Sequence, residues 1–476
     1  MIKILMVASE AAPFAKSGGL GDVVGSLPGA LRENECDVAV LLPRYKGVGL
    51  SSMRRVYDLL PVWIAGIFYQ CSLYLAETSA PFYFLECPQL YGRDGYYGDA
   101  AGDYPDNAIR FAVLSRAALA VARRVFRPDI VHCHDWQTGL VPAYLNTVFA
   151  NDPTYIGTKT LFTIHNLGYQ GLFPKSALPA IGLDRRVFHM NGLEFFGKVS
   201  CIKAGIVYSD GISTVSRRYA VEIQTEEYGF GLDGVLRERG SKLYGIPNGV
   251  DYGNWNPETD PYIAAHYSVD DLAGKAACKR DLVREFGLPQ AAMKRPLAGV
   301  VSRLTPQKGT ELIIEIIPEL ISQDVSLVLL GSGDAEYETP LREASQAFPE
   351  HIAVRFGYDE AVAHKIEAGA DMYLMPSQYE PCGLNQVYSL RYGTVPVVRA
   401  TGGLDDTIEE GTGFKFREYS ARSLVAAIRA ASAAYQDKDA WKAMMRRGMR
   451  KDFSWRVSAA EYAGLYRKLL TARGAA

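Results

Sequence analysis

The sequence predicts an α/β fold with two doubly wound domains, each built on a mainly parallel sheet. Three observations support this prediction. Short apolar runs typical of buried strands alternate with segments of helical periodicity along all 476 residues. Polar residues and glycines follow the ends of these runs. A Gly-Gly-Leu turn occurs once in each half, at 18–20 and at 402–404. This length suffices for two large domains, or for three.

The composition is that of an ordinary globular protein, with 48% hydrophobic and 22% charged residues. The net charge of −2 gives no indication of a nucleic-acid or membrane-surface partner. Seven scattered cysteines without a C-x-x-C pair favour reduced thiols, and hence a cytoplasmic protein. The chain opens directly on a strand-like run, so we expect no signal peptide, and no apolar stretch has the length of a membrane helix.

The first strand and helix enclose a glycine-rich turn. Residues 2–8 form a buried-strand run, K-S-G-G-L-G-D follows at 16–22, helical periodicity extends to Leu31, and a second strand spans 38–42. The turn matches neither the dinucleotide fingerprint nor a P-loop. Gly18 and Gly19 would let the backbone approach a ligand, whose phosphates Lys16 could reach. The alternative is a tight turn beside a solvated lysine.

A histidine-rich strand end comes next. We expect a helix that starts at Pro105, is capped by Asp103 and ends near residue 125, followed by a strand that ends in H-C-H-D-W at 132–136. Alternation places His132 and His134 on one face and Asp135 at the ligand-binding end of the strand. A metal site from these three residues lacks a second ligand pair. A structural role for one histidine and substrate contact for its neighbours is favoured.

Later strands define the domain boundaries. Strands at 160–164, 211–215 and 244–247 lead to His165-Asn166, to Ser216 as a helix N-cap, and to the turn Asn248-Gly249. The stretch 247–261 is rich in Pro, Asn and Asp and is the predicted linker. We therefore expect domains at 1–249 and 250–454. A last helix within 455–476 is expected to pack back on the first domain.

Two cations flank one crossover in the second half. The strand at 297–301 runs into Arg303, and Lys308 precedes the next helix. A guanidinium binds phosphate oxygens as a fork, whereas an ammonium adds a point charge. Each would contribute about 4 kcal/mol of attraction at roughly 4 Å and an effective dielectric near 20, before desolvation. Together they would offset the charge of a departing diphosphate without a metal ion.

The stretch P-S-Q-Y-E-P-C-G-L-N-Q at 376–386 joins a buried strand, 372–375, to a helical pattern that ends near Tyr392. Glu380 is thereby predicted near free backbone amides that attract phosphate, with helix capping as the alternative role. Further strands are predicted at 326–330, 352–356 and 396–399. The only D-x-D, Asp437 and Asp439, is expected on a solvated helical face.

Seven motifs taken together carry a resemblance. They are K-S-G-G-L-G-D-V at 16–23, H-C-H-D-W at 132–136, T-I-H-N at 163–166, N-G-V-D at 248–251, S-R-L-T-P-Q-K-G at 302–309, E-P-C-G-L at 380–384 and T-G-G-L at 401–404. Their order and coverage resemble the retaining starch and glycogen synthase family. The resemblance implies the GT-B fold, in which two Rossmann-like domains face a deep cleft. It also implies glucosyl transfer from ADP-glucose to the non-reducing end of an α-1,4-glucan.

The resemblance also implies roles for particular residues. Glu380, His165 and Asp135 would serve at the reacting sugar, His165 through its backbone carbonyl. Donor-binding positions would be Lys16, Gly18, Gly19, Asn248, Arg303, Lys308, Gly357, Tyr358, Cys382, Gly383, Leu384, Thr401, Gly402 and Gly403. No metal or cofactor is implied, because ADP-glucose is a substrate. Related enzymes carry a second Glu eight residues after the first. Tyr388 stands there in this chain, so the ribose contact must come from another group.

The chemistry expected of such a site agrees with these residues. Glucosyl transfer develops positive charge on the sugar and negative charge on the leaving diphosphate. Lys16, Arg303 and Lys308 would balance the diphosphate once the cleft closes and excludes water. No second carboxylate is evident opposite Glu380, which favours departure and attack on the same face of the sugar.

Several alternatives remain open from the sequence. Another retaining GT-B transferase, with a UDP-glucose donor or a small acceptor, is one. A glucan-binding protein without catalysis is a second, and a dehydrogenase is disfavoured by the missing fingerprint. The nucleobase, acceptor length, oligomeric state and regulation are not determined by the sequence.

Overall fold

The computed structural model describes residues 1–471 and divides the chain into two compact units. The N-terminal unit comprises Met1–Gly249 together with the C-terminal segment that begins at Trp455, and the C-terminal unit comprises Val250–Ser454. Residues 472–476 of the predicted last segment lie outside the described residues.

The described strands, in chain order, are β1 (Ile2–Val7), β2 (Cys36–Pro43), β3 (Arg54–Ile64), β4 (Ile67–Glu77), β5 (Pro81–Glu86), β6 (Gly98–Asp99), β7 (Gly102–Asp103), β8 (Ile130–His134), β9 (Lys159–Ile164), β10 (Leu172–Pro174), β11 (Glu194–Phe195), β12 (Lys198–Ser200), β13 (Gly211–Thr214), β14 (Leu243–Gly245), β15 (Leu297–Leu304), β16 (Ser326–Gly333), β17 (Ile352–Phe356), β18 (Met372–Met375), β19 (Val395–Arg399) and β20 (Phe414–Phe416).

The described α-helices, in chain order, are α1 (Gly19–Arg32), α2 (Pro88–Tyr91), α3 (Asn107–Val121), α4 (Leu140–Asn146), α5 (Ala177–Ala180), α6 (Cys201–Tyr208), α7 (Arg217–Glu222), α8 (Asp233–Glu238), α9 (Ala273–Glu285), α10 (Thr310–Glu315), α11 (Ile317–Ser322), α12 (Ala335–Ala347), α13 (Glu360–Gly369), α14 (Asn385–Arg391), α15 (Gly402–Thr407), α16 (Ala421–Gln436), α17 (Lys438–Met449) and α18 (Trp455–Thr471).

The N-terminal unit is built on a nine-stranded sheet in the order β14-β13-β9-β8-β1-β2-β5-β4-β3. Its strands pair in parallel, except that β4 is antiparallel to both β3 and β5. The chain leaves β1 towards β2 and later returns to β8 on the other side of β1. The gap between the ends of β1 and β8 is therefore the topological switch point, where open α/β sheets bind ligands.

The C-terminal unit has a six-stranded sheet in the order β17-β16-β15-β18-β19-β20, and all its pairs are parallel. The chain leaves β15 towards β16 and returns to β18 on the opposite side. The second switch point therefore lies between β15 and β18, the two strands that lead to Arg303 and Glu380. Apolar side chains fill both faces of this sheet, as parallel strands require.

Two predicted helix starts need correction. The helix expected from Pro105 with Asp103 as its cap begins instead at Asn107, because Asp103 pairs in the short strand β7. The helical pattern after Glu380 becomes a helix only at Asn385, five residues later. The β3–β4–β5 meander was not predicted from the sequence at all. Ser216 does cap α7, since its hydroxyl accepts a hydrogen bond from the Tyr219 N–H at 3.1 Å.

The last helix belongs to the core of the N-terminal unit. Helix α18 packs against α1, and its Tyr462 and Tyr466 are buried. The Tyr466 hydroxyl lies 2.9 Å from Nδ1 of His132 on β8. The C-terminal helix thus supports the strand that ends at Asp135. No helix within residues 1–471 is long and apolar enough to cross a membrane.

Candidate active site

The loop after β1 is organised by a buried carboxylate that the sequence analysis did not identify. Glu10 is only 3% exposed and accepts hydrogen bonds from the Ser17 N–H at 2.5 Å, the Ser17 hydroxyl at 2.7 Å and the Tyr97 hydroxyl. Charge-assisted bonds of this kind are stronger than neutral ones. They hold the turn between Lys16 and Gly19 in one conformation. The position of Glu10 just past a strand end was the available signal.

The predicted Lys16 turn presents open backbone. A Cβ atom added to Gly18 or Gly19 would meet no atom within 4 Å, so close packing within the chain does not require these glycines. The half-exposed Lys16 ammonium pairs with Asp22 on α1 at 2.7 Å. Because an exposed pair of this kind is weak, Lys16 can exchange Asp22 for a ligand anion.

Asp135 occupies the end of β8 in a left-handed conformation, with φ of +55°. Its Oδ1 accepts the backbone N–H of His165 at 2.7 Å, and this bond links the ends of β8 and β9. Burial raises the pKa of the Asp135 carboxyl to about 7, although the amides of His165 and Asn166 oppose this rise. Strained residues of this kind concentrate at functional sites.

Three histidines form a buried neutral cluster beneath Asp135. Nδ1 of His134 lies 2.9 Å from Nε2 of His165, and the rings of His132 and His134 are 4.1 Å apart. Burial lowers the pKa of His132 and of His165 to about 3, and that of His134 well below its usual value. All three rings are therefore uncharged at neutral pH.

His132 has a structural role, because both of its ring nitrogens are engaged. Nδ1 contacts the Tyr466 hydroxyl, and Nε2 lies 2.6 Å from Oγ1 of Thr163. A ring bonded in this way has no nitrogen left for a metal ion. Among residues 1–471, no group of three or more His, Cys, Asp and Glu side chains is arranged to hold one.

Asn248 follows β14, at the edge of the sheet and three strands from β8. It is nine-tenths buried, and its Oδ1 has no hydrogen-bond partner within the described chain. A buried acceptor without a partner is costly unless a ligand or water satisfies it. This geometry is compatible with the pocket-lining role expected of Asn248.

In the C-terminal unit, the loops after β15 and β18 meet at an ion pair. The Lys308 ammonium lies 2.5 Å from Oε2 of Glu380, which also accepts the Ser377 hydroxyl at 3.0 Å. Glu380 is buried and Lys308 is partly exposed. A cavity of about 130 Å³ lies beside Lys308 and Ser377. The switch point therefore combines a carboxylate, a cation and a small cavity.

The T-G-G-L turn fits tightly against the Glu380 loop. A Cβ on Gly402, whose φ is +45°, would lie 1.9 Å from the backbone oxygen of Glu380, and one on Gly403 would lie 1.9 Å from that of Cys382. The Gly403 N–H donates to the Glu380 oxygen at 3.0 Å. These two glycines are thus required to position Glu380, whereas their expected contact with the donor remains a prediction.

The remaining residues predicted to bind the donor follow the ends of several strands in the same unit. Arg303 is exposed at the end of β15. Gly357 and the exposed Tyr358 follow β17, two strands from β15. Gly383 has a φ of +69° in the loop that ends at Leu384, the residue before α14. The backbone around Cys382 to Leu384 is partly exposed, and Thr401 is buried.

Tyr388, at the position where a second glutamate is expected in related enzymes, takes part in an aromatic stack. Its ring stacks on Trp255 with centroids 4.2 Å apart and an interplanar angle of 8°, and Trp255 also stacks on His364 at 3.7 Å. Tyr388 therefore ties α14 to the segment after Val250.

The D-x-D at Asp437 and Asp439 was predicted to lie on a solvated helical face. Asp437 is exposed and also has a structural role, because it caps α17 by accepting the N–H groups of Asp439 and Ala440.

Comparisons with known proteins identify both halves. A family model described as the starch synthase catalytic domain matches residues 3–238, and one described as glycosyl transferases group 1 matches residues 286–447. The chain is 50% identical over 474 residues to a glycogen synthase of Koribacter versatilis, covering 98% of each chain. It is also 50% identical to a glycogen synthase of Anaeromyxobacter dehalogenans, covering 98% of this chain and 100% of that one.

Solved structures agree with the fold. The catalytic domain of starch synthase IV from Arabidopsis thaliana, bound to ADP and acarbose, matches with a TM-score of 0.89 and 33% identity over 99% of both chains. A sucrose-phosphate synthase from Thermosynechococcus elongatus matches with a TM-score of 0.61 and 18% identity, covering 99% of this chain and 100% of that one, which supports the fold alone. The chain therefore belongs to the starch and glycogen synthase family of GT-B glycosyltransferases.

Proposed function

We propose that this enzyme transfers glucose from ADP-glucose, with retention of configuration, to the non-reducing end of an α-1,4-glucan and releases ADP. The observation that carries the proposal is the Lys308–Glu380 pair at the switch point between β15 and β18. The relatives of this chain are glycogen synthases, and the similar starch synthase structure holds ADP and acarbose.

In this proposal the cations stabilise the leaving diphosphate. Arg303 is exposed at the end of β15 and offers a forked guanidinium, and the partly exposed ammonium of Lys308 has further N–H donors besides the one directed at Glu380. Lys16 is proposed to bind the diphosphate as well. These charges would oppose the negative charge that grows as the bond to the sugar breaks. No metal ion takes part in this account.

Glu380 is proposed to hold the donor glucose by its hydroxyls near the reacting carbon. Lys308, Ser377 and the tight turn at Gly402 fix this carboxylate, so it needs little reorganisation during the reaction. Asp135 and the backbone carbonyl of His165 would stabilise the positive charge on the sugar. The hydrogen bond between Asp135 and His165 holds the ends of β8 and β9 together.

The test is direct. The enzyme is incubated with ADP-glucose or UDP-glucose and with glycogen or small sugar acceptors, while nucleotide release and chain extension are measured. The proposal expects ADP release matched to glucan extension. UDP release, or transfer only to small acceptors, would indicate another retaining transferase. Glycogen binding without nucleotide release would indicate a binding protein.

Substitution of Arg303 sharpens this test. Arg303→Gln should raise the donor KM about 10- to 100-fold, because a forked charge-assisted contact is lost. Arg429→Gln, at an exposed arginine of α16, is the matched control and should leave the donor KM unchanged.

A separate measurement tests whether the acceptor attacks the same face of the sugar from which the diphosphate departs. Detection of a glucosyl ester on the enzyme by mass spectrometry would contradict this same-face transfer.

A further inference from the structure

Gln386 is the second residue of α14, and its side chain is completely buried. Its side-chain N–H groups donate to the backbone oxygens of Cys382 at 3.1 Å and Gly383 at 3.0 Å, and to Oγ1 of Thr407 at 3.2 Å. The Thr407 hydroxyl in turn donates to the Gly403 oxygen at 2.6 Å. This one amide group therefore connects the E-P-C-G-L loop with α15, the helix that begins in the T-G-G-L turn.

The chemistry of these three partners fixes the orientation of the Gln386 amide. Two of them are carbonyl oxygens, which only accept hydrogen bonds, and the Thr407 hydroxyl already donates its proton to Gly403. The side-chain nitrogen, which carries the N–H donors, must therefore face all three. Within residues 1–471 the side-chain oxygen has no hydrogen-bond partner, so the amide acts here as a donor only.

The two carbonyls that Gln386 holds determine where the following N–H groups point. In a planar trans peptide the N–H is directed opposite to the C=O. Because the Cys382 and Gly383 oxygens are turned towards Gln386, the N–H groups of Gly383 and Leu384 point away from it. Neither N–H has an acceptor among residues 1–471. Gly383 has a φ of +69°, and successive N–H groups in turns with a left-handed residue form concavities that bind anions.

We propose that Gln386 is a positioning residue that directs the Gly383 and Leu384 N–H groups at the donor diphosphate, an inference that rests on the proposed function. It acts through the loop, because its own side chain is completely buried. Donors that are oriented before the reaction stabilise the charge of the leaving diphosphate without further reorganisation. Loss of the amide should therefore weaken binding of the phosphates and leave binding of the nucleoside intact.

The test compares inhibition by ADP with inhibition by adenosine, which lacks the phosphates. Gln386→Met keeps the approximate size of the side chain and removes its donors. The Ki for ADP and the donor KM should rise about 10- to 100-fold, because two or three hydrogen bonds that orient the loop are lost. The Ki for adenosine and the acceptor KM should stay unchanged. A role in folding alone would lower the fraction of active enzyme, and hence kcat, without changing the Ki of the folded molecules.

The matched control is Ser389→Ala on the same helix. Ser389 is also completely buried, and its hydroxyl donates to Oε2 of Glu367 at 2.6 Å. This variant loses a buried hydrogen bond, so its melting temperature should fall. The ratio of the Ki for ADP to the Ki for adenosine should nevertheless stay that of the unaltered protein.

A second variant, Thr407→Val, decides the question if Gln386→Met does not fold. It removes the acceptor on α15 that holds the Gln386 amide, so the Ki for ADP should rise about 2- to 10-fold while that for adenosine stays unchanged. In Gln386→Met, or in Thr407→Val where the first variant does not fold, an unchanged Ki for ADP would overturn the proposal. So would an equal rise in the Ki for adenosine.

Failure of the proposed function would give a different result. Calorimetry measures the affinities for ADP and adenosine without turnover, so an unaltered enzyme that binds ADP but transfers no glucose would contradict the proposed function and not the role of Gln386. If the unaltered enzyme releases UDP in place of ADP, the same comparison of UDP with uridine decides the role of Gln386. An unaltered protein that binds neither nucleotide would contradict both.

Discussion

The two switch points use opposite chemistry at the same place in their sheets. In the N-terminal unit, neutral histidines and a carboxyl with a pKa near 7 lie at the ends of β8 and β9, and the glycine turn that follows β1 is open. In the C-terminal unit, an ion pair is enclosed by a glycine turn packed against its backbone. The comparison shows that glycines in two similar Gly-Gly-Leu motifs can serve different purposes. One pair leaves the backbone accessible, and the other permits close packing.

The largest expected effect tests that difference directly. Gly402→Ala should lower turnover by about 100-fold or more, because its Cβ would collide with the Glu380 backbone and displace the carboxylate. It should also destabilise the fold by about 1–3 kcal/mol. Gly19→Ala, where a Cβ meets nothing, should leave the melting temperature unchanged. Equal effects of both substitutions on thermal unfolding would remove the distinction.

An intermediate effect concerns Asp135 and pH. Because the folded pKa of about 7 exceeds the ordinary value, the Asp135 carboxylate that we propose to act at the sugar forms only as pH rises through 7. Turnover should therefore increase between pH 6 and 8, and Asp135→Asn should flatten this rise and lower turnover about 10- to 100-fold at pH 8.

The stability of the fold should fall as pH rises, whereas turnover should increase. A raised folded pKa means that Asp135 stabilises the fold less as pH rises from about 4 to 7, by at most about 1.4 kcal/mol per pH unit. Asp135→Asn retains an acceptor for the His165 N–H and should be more stable than the unaltered protein at pH 8. Denaturant titrations at pH 5 and pH 8 check this expectation, and a less stable variant at pH 8 would contradict it.

The smallest effect is expected at Lys16. Lys16→Gln should raise the donor KM about 3- to 10-fold with little change in kcat, because water screens much of the attraction between an exposed cation and its ligand. Lys46→Gln is the matched control, since Lys46 also pairs with an aspartate at 2.7 Å on the surface of the same unit. Initial rates at varied ADP-glucose would check both variants. A similar change in the control would show a non-specific charge effect.

Local signals predicted much of the molecule. Apolar runs located β17 and β18 to the residue, and alternation placed the rings of His132 and His134 together. The ends of β8 and β9 were expected to gather polar groups, and Asp135 does bond to His165. These features depend on periodicity and on the common direction of parallel strands, which a sequence displays directly.

Features that depend on contacts between distant residues escaped prediction. The role of Glu10 requires Tyr97, 87 positions away, and that of Gly402 requires the backbone of Glu380. The start of α3 was misplaced because Asp103 pairs in a two-residue strand instead of capping. Phe196 has a φ of +46°, a backbone conformation that a phenylalanine rarely adopts and that the sequence therefore does not predict. No local pattern encodes such tertiary contacts.

The central claim is that Glu380, fixed at the switch point, holds the reacting sugar of the donor. The most direct test is the kcat of Glu380→Gln for ADP release with glycogen as acceptor, measured on protein whose folding is verified by thermal unfolding. The account predicts a fall of at least about 100-fold. A folded variant with near-normal turnover would contradict it.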